Sequence, residues 1–525
     1  MRTLVLLVCG ALASYGAVEK FDVVVYGGTA GGAIAAVSAA REGLKTALLE
    51  PGSHIGGMVS GGLSWTDFGK KEVIGGYALE FYKRIGKYYG MGRYGNDLAW
   101  YHEPHVAEAI LRQMLSEAGV TLFEHHRLRE KDAVRKSGAV VRQIVMENGV
   151  TFSAKVFIDS SYEGDLMAQA GIGYTWGREA SSQYDESLAG VRGRTPYHQF
   201  LVDVPAYASG GSLLPEIFAG KPGPAGSADQ KVQAYNYRMC FSEVPENQVA
   251  FARPAGYQPA RYELLARLIA ARTAAEGRVP GLRTFLKLDR IPNGKLDVNN
   301  QGAFSTDYIG ASWNYPNATY AERARIRQAH RDYTAGLFYF LANDAQVPEP
   351  LRSEMNAFGL CRDEFTDNGN WPSQLYIREA RRMVGEYVVV QKDLQSELTK
   401  PDAIGMGSYN SDSHNIERIV DAGGFVRNEG DMQVPVKPYQ IPYRVMLPKP
   451  TEARNVLVPV AFSASHVAYS SLRMEPQYMI IGQAAGVAAK LAIENRTAVQ
   501  DVDTGRLTAL LRQQGAVFEY RPPPR

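Results

Sequence analysis

A glycine-rich turn near the start of the chain is followed, at a regular distance, by an acid. The turn comprises Gly27, Gly28, Thr29, Ala30 and Gly31. Glycine lets a backbone approach a pyrophosphate, and Glu50, twenty-two residues after Gly28, can accept hydrogen bonds from a ribose. Aligned on Gly28 and Gly31, the first glycine of G-x-G-x-x-G is replaced by Tyr26. The pattern predicts a dinucleotide site, and an ordinary strand–turn–helix unit is the alternative.

Further glycines follow Glu50 directly. They include Gly56, Gly57, Gly61 and Gly62, with Met58 among the apolar residues between them. Such a density of glycine indicates backbone lying close against a ligand. The alternative is a flexible surface loop, against which the interspersed apolar side chains argue.

Two of the nine histidines lie among small or polar residues that can orient an imidazole ring. His466 stands in SASHVAYSSLRMEP and His414 in NSDSHNIERIV. Either is a candidate base or hydrogen-bonding partner for a substrate hydroxyl. A buried structural histidine is the alternative for each.

Arginines provide a second type of candidate. Arg378, Arg381 and Arg382 have the spacing i, i+3, i+4, so a helix would place them on one face. Arg473 lies in SSLRMEP. Because a guanidinium binds a carboxylate through two hydrogen bonds, Arg378 and Arg473 are candidates for holding an anionic substrate. Ion pairs with neighbouring glutamates are equally compatible with the sequence.

The elements that must position these residues follow from apolar runs and helix-favouring stretches. We predict strand Val23–Tyr26, helix Ala33–Arg41 and strand Thr46–Leu49 around the first turn. Later elements are expected to complete the same domain. They are helix Pro104–Ala118, a hairpin at Asn148-Gly149, a strand ending at Asp159, a strand Asn455–Phe462 and a helix Gln477–Glu494.

Between residues 175 and 440 the pattern of predicted strands and helices becomes less regular, and the sequence is rich in Tyr, Trp, Pro and Asn. Helical stretches are predicted at Ala318–Asn343 and Leu375–Leu398. Aromatic loops of this kind can stack on sugar rings, or they can be core and turn residues. We interpret residues 175–440 as a substrate domain inserted into a nucleotide-binding domain formed by 18–174 and 441–515.

Composition narrows the class of protein. The chain has 525 residues, 45% hydrophobic and 21% charged, and a net charge of +2 without a basic block, so we expect neither nucleic acid nor an anionic membrane surface as a partner. The apolar run at its start is too short to span a bilayer, and we expect no integral membrane span. Residues 1–17, with Arg2 before an apolar run, predict a signal peptide and a periplasmic or secreted protein. Removing them leaves two cysteines, which make neither a disulfide framework nor a metal-ligand set.

Start, middle and end of the chain together resemble FAD-dependent oxidoreductases of the bacterial FAD_oxidored type, relatives of glutathione-reductase and fumarate-reductase flavoproteins. Some members carry the label "xanthan lyase". The resemblance lies in VVVYGGTAGGAIAA, EPGSHIGGMVSGGL, FIDSSYEGDLMAQAG, YIREARRMVGEY and SHVAYSSLRMEP with GQAAGVAAKLA. It implies an α/β fold: a Rossmann-like FAD-binding domain of three-layer ββα architecture with an inserted α+β substrate domain.

The resemblance also implies roles for individual residues. Gly27–Gly31 would hold the pyrophosphate, Glu50 the ribose, and Asp165 would lie near the nucleotide. Gly56–Met58 and Gly61–Gly62 would run along the flavin. Gln483 and Ala484 would direct helix N-terminal N–H groups at its pyrimidine edge.

The function expected from this is hydride transfer between an organic substrate, a sugar or a hydroxy acid, and FAD. An NAD-dependent dehydrogenase, or a carbohydrate-binding or lyase protein with a vestigial nucleotide fold, is the alternative. The sequence leaves open the substrate, the electron acceptor, the mode of flavin attachment and the oligomeric state.

Overall fold

A computed structural model describes residues 18–95 and 97–522. The predicted signal peptide, residues 1–17, lies outside the described residues. The strands are β1 (Val18–Lys20), β2 (Val23–Tyr26), β3 (Thr46–Leu49), β4 (Thr121–Phe123), β5 (Val134–Ser137), β6 (Val140–Val145), β7 (Thr151–Ser153), β8 (Val156–Asp159), β9 (Tyr174–Thr175), β10 (Met239–Ser242), β11 (Gln248–Val249), β12 (Leu286–Ile291), β13 (Lys295–Asn300), β14 (Gly359–Cys361), β15 (Arg382–Met383), β16 (Ala403–Gly407), β17 (Ser411–Ser413), β18 (Glu417–Val420), β19 (Val426–Glu429), β20 (Met432–Val434), β21 (Tyr439–Pro442) and β22 (Val456–Leu457). The α-helices are α1 (Ala30–Arg41), α2 (Gly76–Tyr88), α3 (Pro104–Ala118), α4 (Asp165–Gln169), α5 (Ser181–Tyr184), α6 (Glu263–Glu276), α7 (Tyr320–Asn343), α8 (Glu349–Asn356), α9 (Gln391–Gln395), α10 (His466–Leu472), α11 (Glu475–Asn495) and α12 (Thr504–Gln513).

A five-stranded parallel sheet organises the two ends of the chain. Its order is β22-β8-β2-β3-β4, so the strand near the C-terminus pairs with β8, beside the first βαβ unit. These strands read as continuous apolar runs because both faces of the sheet are covered. Of the predicted strand Asn455–Phe462, only Val456–Leu457 is a strand.

The sheet is the middle of three layers. On β2, Val23 and Val25 belong to the core formed with α1, α3 and α11. Val24 and Tyr26 instead pack against the antiparallel part of a second sheet, β1-β7-β6-β5. This alternation along one strand produces the ββα architecture expected from the resemblance.

A separate five-stranded sheet, β11-β14-β10-β13-β12, lies within the inserted region. Cys240 on β10 and Cys361 on the neighbouring antiparallel strand β14 form a disulfide. The sequence did not predict this bond, because two cysteines separated by 121 residues carry no spacing signal.

Two long helices were predicted in the inserted region, and one of them forms. Thr319 caps α7 in a capping box with Glu322, which fixes its start. The predicted helix Leu375–Leu398 is wrong: only α9 is helical there, and β15 pairs with β9 instead. The three arginines of this segment therefore do not share a helix face.

Within the described ranges, no helix is long and apolar enough to cross a membrane.

Candidate functional site

The predicted glycine turn leads from β2 into α1. Thr29 is the N-cap of the helix, and its hydroxyl accepts a hydrogen bond from Gly32 N and donates one to Ser160 O at 2.9 Å. Gly27 has φ +97°, and a Cβ on it would lie 2.7 Å from Ser161 N. The turn therefore requires glycine at this position, and it leaves the positive end of α1 beside the backbone of the turn.

Glu50 stands at the end of β3, against the glycine turn. Its carboxylate accepts hydrogen bonds from Gly28 N at 2.8 Å and from Gly52 N at 2.7 Å. Burial raises the pKa of Glu50 to about 7, although the two N–H donors oppose this rise. The structure thus holds the predicted ribose acid in a fixed position.

A cavity of about 260 Å³ opens beside Glu50. Gly27, Thr29 and Asp165 line it, whereas Gly28, Ala30 and Gly31 do not. Cationic and aromatic side chains also line its walls. They are Arg127, Arg323, Arg327 and Tyr320.

The cations of this cavity are held in place before any ligand binds. The Arg127 guanidinium lies 4.6 Å from the Tyr320 ring centroid. Arg323 pairs with Asp165 at 2.7 Å, and Arg327 pairs with Glu163 at 3.0 Å. Beside a helix N-terminus, such a wall favours phosphate groups.

The four glycines between residues 56 and 62 are packed so closely that a side chain on any of them would meet other protein atoms. A Cβ on Gly57 would meet the Tyr162 hydroxyl, one on Gly61 would meet Gln374, and one on Gly62 would meet Arg238 O. Gly56 is confined in the same way by Ser60. Met58 N donates to the Tyr162 hydroxyl at 2.9 Å. Their smallness is therefore explained by packing, and the predicted flavin contact of their backbone stays a prediction.

Gly31 also has a packing role. A Cβ there would lie 2.9 Å from Tyr478 O on α11, and Gly482 faces Gly31 O in return. The missing side chains let α1 and α11 approach closely. Packing therefore accounts for glycine at this position, and the contact of its backbone with the pyrophosphate stays a prediction.

Gln483 and Ala484 are not at a helix N-terminus, contrary to expectation. They lie inside α11, which begins at Glu475. The Gln483 side chain accepts from Tyr77 N at 2.9 Å and donates to Gln514, and Ala484 is fully buried. The actual start was signalled by Pro476 in the first turn, eight residues before Ala484.

The true N-terminus of α11 carries buried polar atoms without partners in the described structure. Both amide atoms of Gln477 and Oε2 of Glu475 are unpaired. Glu475 Oε1 accepts from the Tyr162 hydroxyl at 2.7 Å. Burial raises the pKa of Glu475 to about 8. Unpartnered buried polar atoms at a helix N-terminus indicate a polar ligand there.

Arg473 precedes this helix and is buried. It donates to the Tyr376 hydroxyl at 3.1 Å and to Asp412 O at 2.8 Å, while its Nε has no partner. No carboxylate of the described residues forms an ion pair with it. The Arg378 guanidinium lies 4.7 Å from the centroid of the same Tyr376 ring, and it pairs with Asp307 at 2.9 Å.

Asp307 joins Arg378 to His414. The His414 Nδ1 lies 2.7 Å from Asp307 Oδ2. Burial, with the charge of Arg378 adding to it, lowers the pKa of His414 to about 4. Although burial acts in the opposite direction, Arg378 and His414 hold the pKa of Asp307 at about 2. A neutral imidazole therefore faces an ionised carboxylate.

His466 begins α10 rather than following directly on a strand. Its Nδ1 lies 2.7 Å from Glu379 Oε2, and its backbone N–H donates to Glu179. Arg382 bonds both glutamates. Burial, with the charge of Arg382 adding to it, lowers the pKa of His466 to about 3. The ring is thus neutral and held in one orientation by a carboxylate.

One glutamine connects the two histidines. Gln233 Nε2 donates to Glu379 Oε2 at 3.0 Å, and Gln233 Oε1 accepts from His414 N at 3.1 Å. The four predicted catalytic residues consequently belong to one buried polar network. Sequence reasoning missed its connecting members, which are Gln233, Asp307, Tyr376 and Glu379, because no local pattern marks contacts between such distant residues.

A group with metal-ligand geometry, formed by Glu103, His105 and Glu364, lies elsewhere. The Lys295 ammonium binds Glu103 at 2.6 Å, Glu364 at 2.7 Å and Asp363 at 2.8 Å. The negative charge of this group is therefore compensated by an internal cation.

Comparison with known proteins identifies the family. The model of the family described as FAD dependent oxidoreductase matches residues 22–511. The chain belongs to this FAD-dependent oxidoreductase family. It is accordingly an enzyme that uses FAD, which decides between the expected cofactor and the NAD alternative.

The chain is similar to several solved structures. A geranylgeranyl bacteriochlorophyll reductase-like protein of Thermoplasma acidophilum is 12% identical, with 95% of this chain and 85% of that chain covered and a TM-score of 0.37. THI4 of Thermovibrio ammonificans is 18% identical over 32% of this chain and 71% of that chain, with a TM-score of 0.22. T. acidophilum thioredoxin reductase is 20% identical over 32% of this chain and 40% of that chain, with a TM-score of 0.17. A search of curated proteins found no match.

The residues of this oxidoreductase fit FAD at both ends. At the adenosine end, Glu50 suits the ribose, and the α1 N-terminus with Arg323 and Arg327 suits the diphosphate. At the start of α11, the unpaired amide of Gln477 offers a donor and an acceptor, as a flavin pyrimidine ring requires.

Proposed function

We propose that this flavoenzyme oxidises a hydroxy acid to the corresponding keto acid. FAD, when bound, supplies an acceptor for the hydride of the substrate C–H bond. The chain must then hold the carboxylate, orient the hydroxyl and accept its proton. The observation that carries the proposal is the buried guanidinium of Arg473.

Arg473 is the cation best suited to a substrate carboxylate. It is 3% exposed and has no carboxylate partner among residues 18–95 and 97–522, and its Nε is unpaired. Asp412 acts on this charge without an ion-pair contact, so an anionic ligand here would provide a directly bound counterion for a buried guanidinium. Arg378 is less suited, because Asp307 and Ala234 O already engage its guanidinium.

His466 is the proposed proton acceptor. In the neutral ring, a proton on Nδ1 is donated to Glu379, which leaves Nε2 to accept a hydrogen bond from a hydroxyl. Loss of the C–H hydride to the cofactor and of the O–H proton to Nε2 converts the alcohol carbon to a carbonyl. Because burial and the charge of Arg382 lower the pKa of His466 to about 3, the ring is neutral before substrate binds and its Nε2 carries no proton.

His466 and Arg473 stand at the two ends of α10, so one short helix positions both. Seven residues at 1.5 Å each place their backbones about 10 Å apart. His414 and Arg378 form the adjacent part of the network, and we assign to them the orientation of the groups around Tyr376 rather than proton transfer.

The test is anaerobic reduction of the FAD-loaded protein by glycolate, lactate, malate and gluconate, each beside its methyl ester. Bleaching of the flavin band by an acid and not by its ester is the expected result. Arg473→Met should lose a charge-assisted hydrogen bond of about 1.5–3 kcal/mol. The acid concentration that gives half-maximal flavin reduction should therefore rise by about ten- to a hundredfold.

Arg290→Met is the matched control, since the Arg290 side chain is 75% exposed and its one ion pair with the described residues is to Glu243. Equal bleaching by acids and esters would contradict the proposal. So would reduction by neutral sugars alone, with Arg473→Met behaving as the parent enzyme.

We further propose that the chain is exported. Support comes from the charged and apolar start of the sequence and from the Cys240–Cys361 disulfide, since such bonds persist mainly in oxidising compartments. N-terminal sequencing of protein from its native host should find a chain starting beyond residue 17. An intact Met1 on cytoplasmic protein would refute this.

A further inference from the structure

An open groove of about 720 Å³ lies on the inserted region, apart from the cofactor cavity. It is bordered by the loop 308–318, by α7 and by the segment around Trp176. We call it the aromatic groove, after its rings Trp176, Tyr308 and Trp313. The helix α7 separates the two spaces: Arg325 and Ala329 line the groove, and Arg323 and Arg327 line the cofactor cavity.

Trp313 is fixed before any ligand arrives. Its indole N–H donates to Ile416 O at 3.0 Å. Phe218 meets it edge-on with centroids 5.2 Å apart, and Lys231 Nζ lies 4.7 Å from its centroid. The remaining half-exposed surface of the ring lines the groove. A ring held in this way loses little conformational entropy when a ligand stacks on it.

The other two rings are supported similarly. Trp176 packs against Tyr174 with centroids 6.2 Å apart. Tyr308 stacks on Tyr333 at 4.4 Å, so one of its faces is covered. Both remain half-exposed along the groove. The groove thus presents flat apolar surfaces that the core does not use.

Amide groups accompany these rings. In the described part of the chain, the side chains of Gln230 and Asn314 make no hydrogen bond. Asn317 accepts from Arg381 at 3.0 Å through Oδ1, which leaves its amide N–H groups available. Each of these residues offers donors, and the first two also offer acceptors.

The charges of the groove nearly cancel. Its two lining ions are Glu322 and Arg325, which lie 3.9 Å apart. Lys231, behind the indole, is neutralised by Glu417. A phosphate or a polyanion would need several cations, such as the three arginines of the cofactor cavity, whereas Arg325 is the one arginine that lines the groove and Glu322 offsets its charge. The chemistry therefore favours an uncharged ligand with flat apolar faces and many hydroxyls.

We propose that the aromatic groove binds a neutral saccharide. The C–H face of a pyranose ring would stack on Trp313 and Trp176, and its hydroxyls would bond the amides of Gln230, Asn314 and Asn317. The volume is within the range of small-ligand sites. This site is independent of the proposed oxidation, because none of its lining residues belongs to the network of His466 and Arg473.

The test is affinity electrophoresis of the FAD-loaded protein in native gels containing soluble starch, dextran, hydroxyethyl cellulose or galactomannan. Retardation by at least one of these is expected. Trp176→Ala should weaken it by about ten- to a hundredfold, the loss of one stacking surface. Tyr88→Ala, which removes a ring that is 59% exposed on α2, is the control and should migrate as the parent protein.

Trp313→Ala should have the same effect, and Trp313→Phe should restore part of the binding. The flavin absorbance of each variant confirms that it is folded. Absence of retardation by all four polysaccharides would overturn the proposal, as would parental retardation of Trp176→Ala. Titration with adenosine and AMP provides the opposite outcome. Quenching of tryptophan fluorescence that Trp313→Phe lacks, with no saccharide effect, would reassign the groove to a nucleoside.

Discussion

Replacing Gly28 by alanine tests the assignment of the nucleotide site most directly. A Cβ at this position would lie 2.8 Å from Glu50 Oε2 and 2.8 Å from Ile55 Cδ1. Ile55 is fully buried and has little freedom to move. The carboxylate of Glu50 must therefore shift away from its present position.

The magnitude follows from what holds Glu50. Its two hydrogen bonds, from Gly28 N at 2.8 Å and Gly52 N at 2.7 Å, fix the carboxylate where a ribose would bind. Losing the equivalent of one hydrogen bond to a charged group costs about 1.5–3 kcal/mol. Because 1.4 kcal/mol is tenfold, FAD should bind about ten- to a hundredfold more weakly.

The assay is equilibrium dialysis of FAD-free protein against FAD, with flavin fluorescence as readout. Gly193→Ala is the matched control, since a Cβ there would have no neighbour within 4 Å. The thermal unfolding of both FAD-free variants should be compared, to separate cofactor loss from misfolding. If Gly28→Ala retains the parental dissociation constant, the ribose is not bound at Glu50 and our placement of the site is wrong.

Three further predictions concern catalysis, pH and a buried cation. His466→Ala should slow flavin reduction by about 10²–10⁴-fold with FAD still bound, measured by stopped-flow absorbance, and an unchanged rate would make His466 structural. Because burial raises the pKa of Glu475 from 4.5 to about 8, its contribution to stability is complete below pH 4.5 and is lost as the pH rises through 8. Unfolding of FAD-free protein across this range should therefore show a decline of at most roughly 5 kcal/mol that Glu475→Gln lacks, and parallel pH profiles would contradict it. Lys295→Met should destabilise the fold by about 3–5 kcal/mol in denaturant unfolding, because three carboxylates lose their shared cation, and a parental midpoint would refute that.

Local patterns predicted the elements around the nucleotide site well. The strand Val23–Tyr26 and the helix Pro104–Ala118 form with the predicted bounds. In both, the apolar pattern of the sequence coincides with burial in the folded chain, so local and long-range preferences agree. The ββα layering followed from the family resemblance rather than from any single segment.

The wrong helix at Leu375–Leu398 shows where local reasoning fails. Its residues have the spacing of a helix, but their side chains bond distant parts of the chain. Arg382 binds Glu179 and Ala464 O, and Arg378 binds Ala234 O and Asp307. Leaving these buried charges without partners would cost more free energy than giving up the helical backbone conformation.

The candidate site was predicted residue by residue but not as a network. The sequence singles out His414 and His466 by their polar surroundings. It gives no sign that Asp307 meets His414 across 107 residues or that Glu379 meets His466 across 87. The resemblance implied that Gln483 and Ala484 lie at a helix N-terminus, whereas the sequence itself predicted a helix from Gln477, close to the observed start at Glu475.

The close packing of α1 on α11 has a consequence for the biosynthesis of the protein. The Ser38 hydroxyl of α1 donates to Gln483 O, 445 residues later in the chain. At 5–20 residues per second, a ribosome needs about 20–90 s to make the intervening segment. During that interval α3 can already pack on α1, but the part of α1 that contacts α11 is uncovered. The first βαβ unit is therefore synthesised early, but its packing is completed only after α11 has been made.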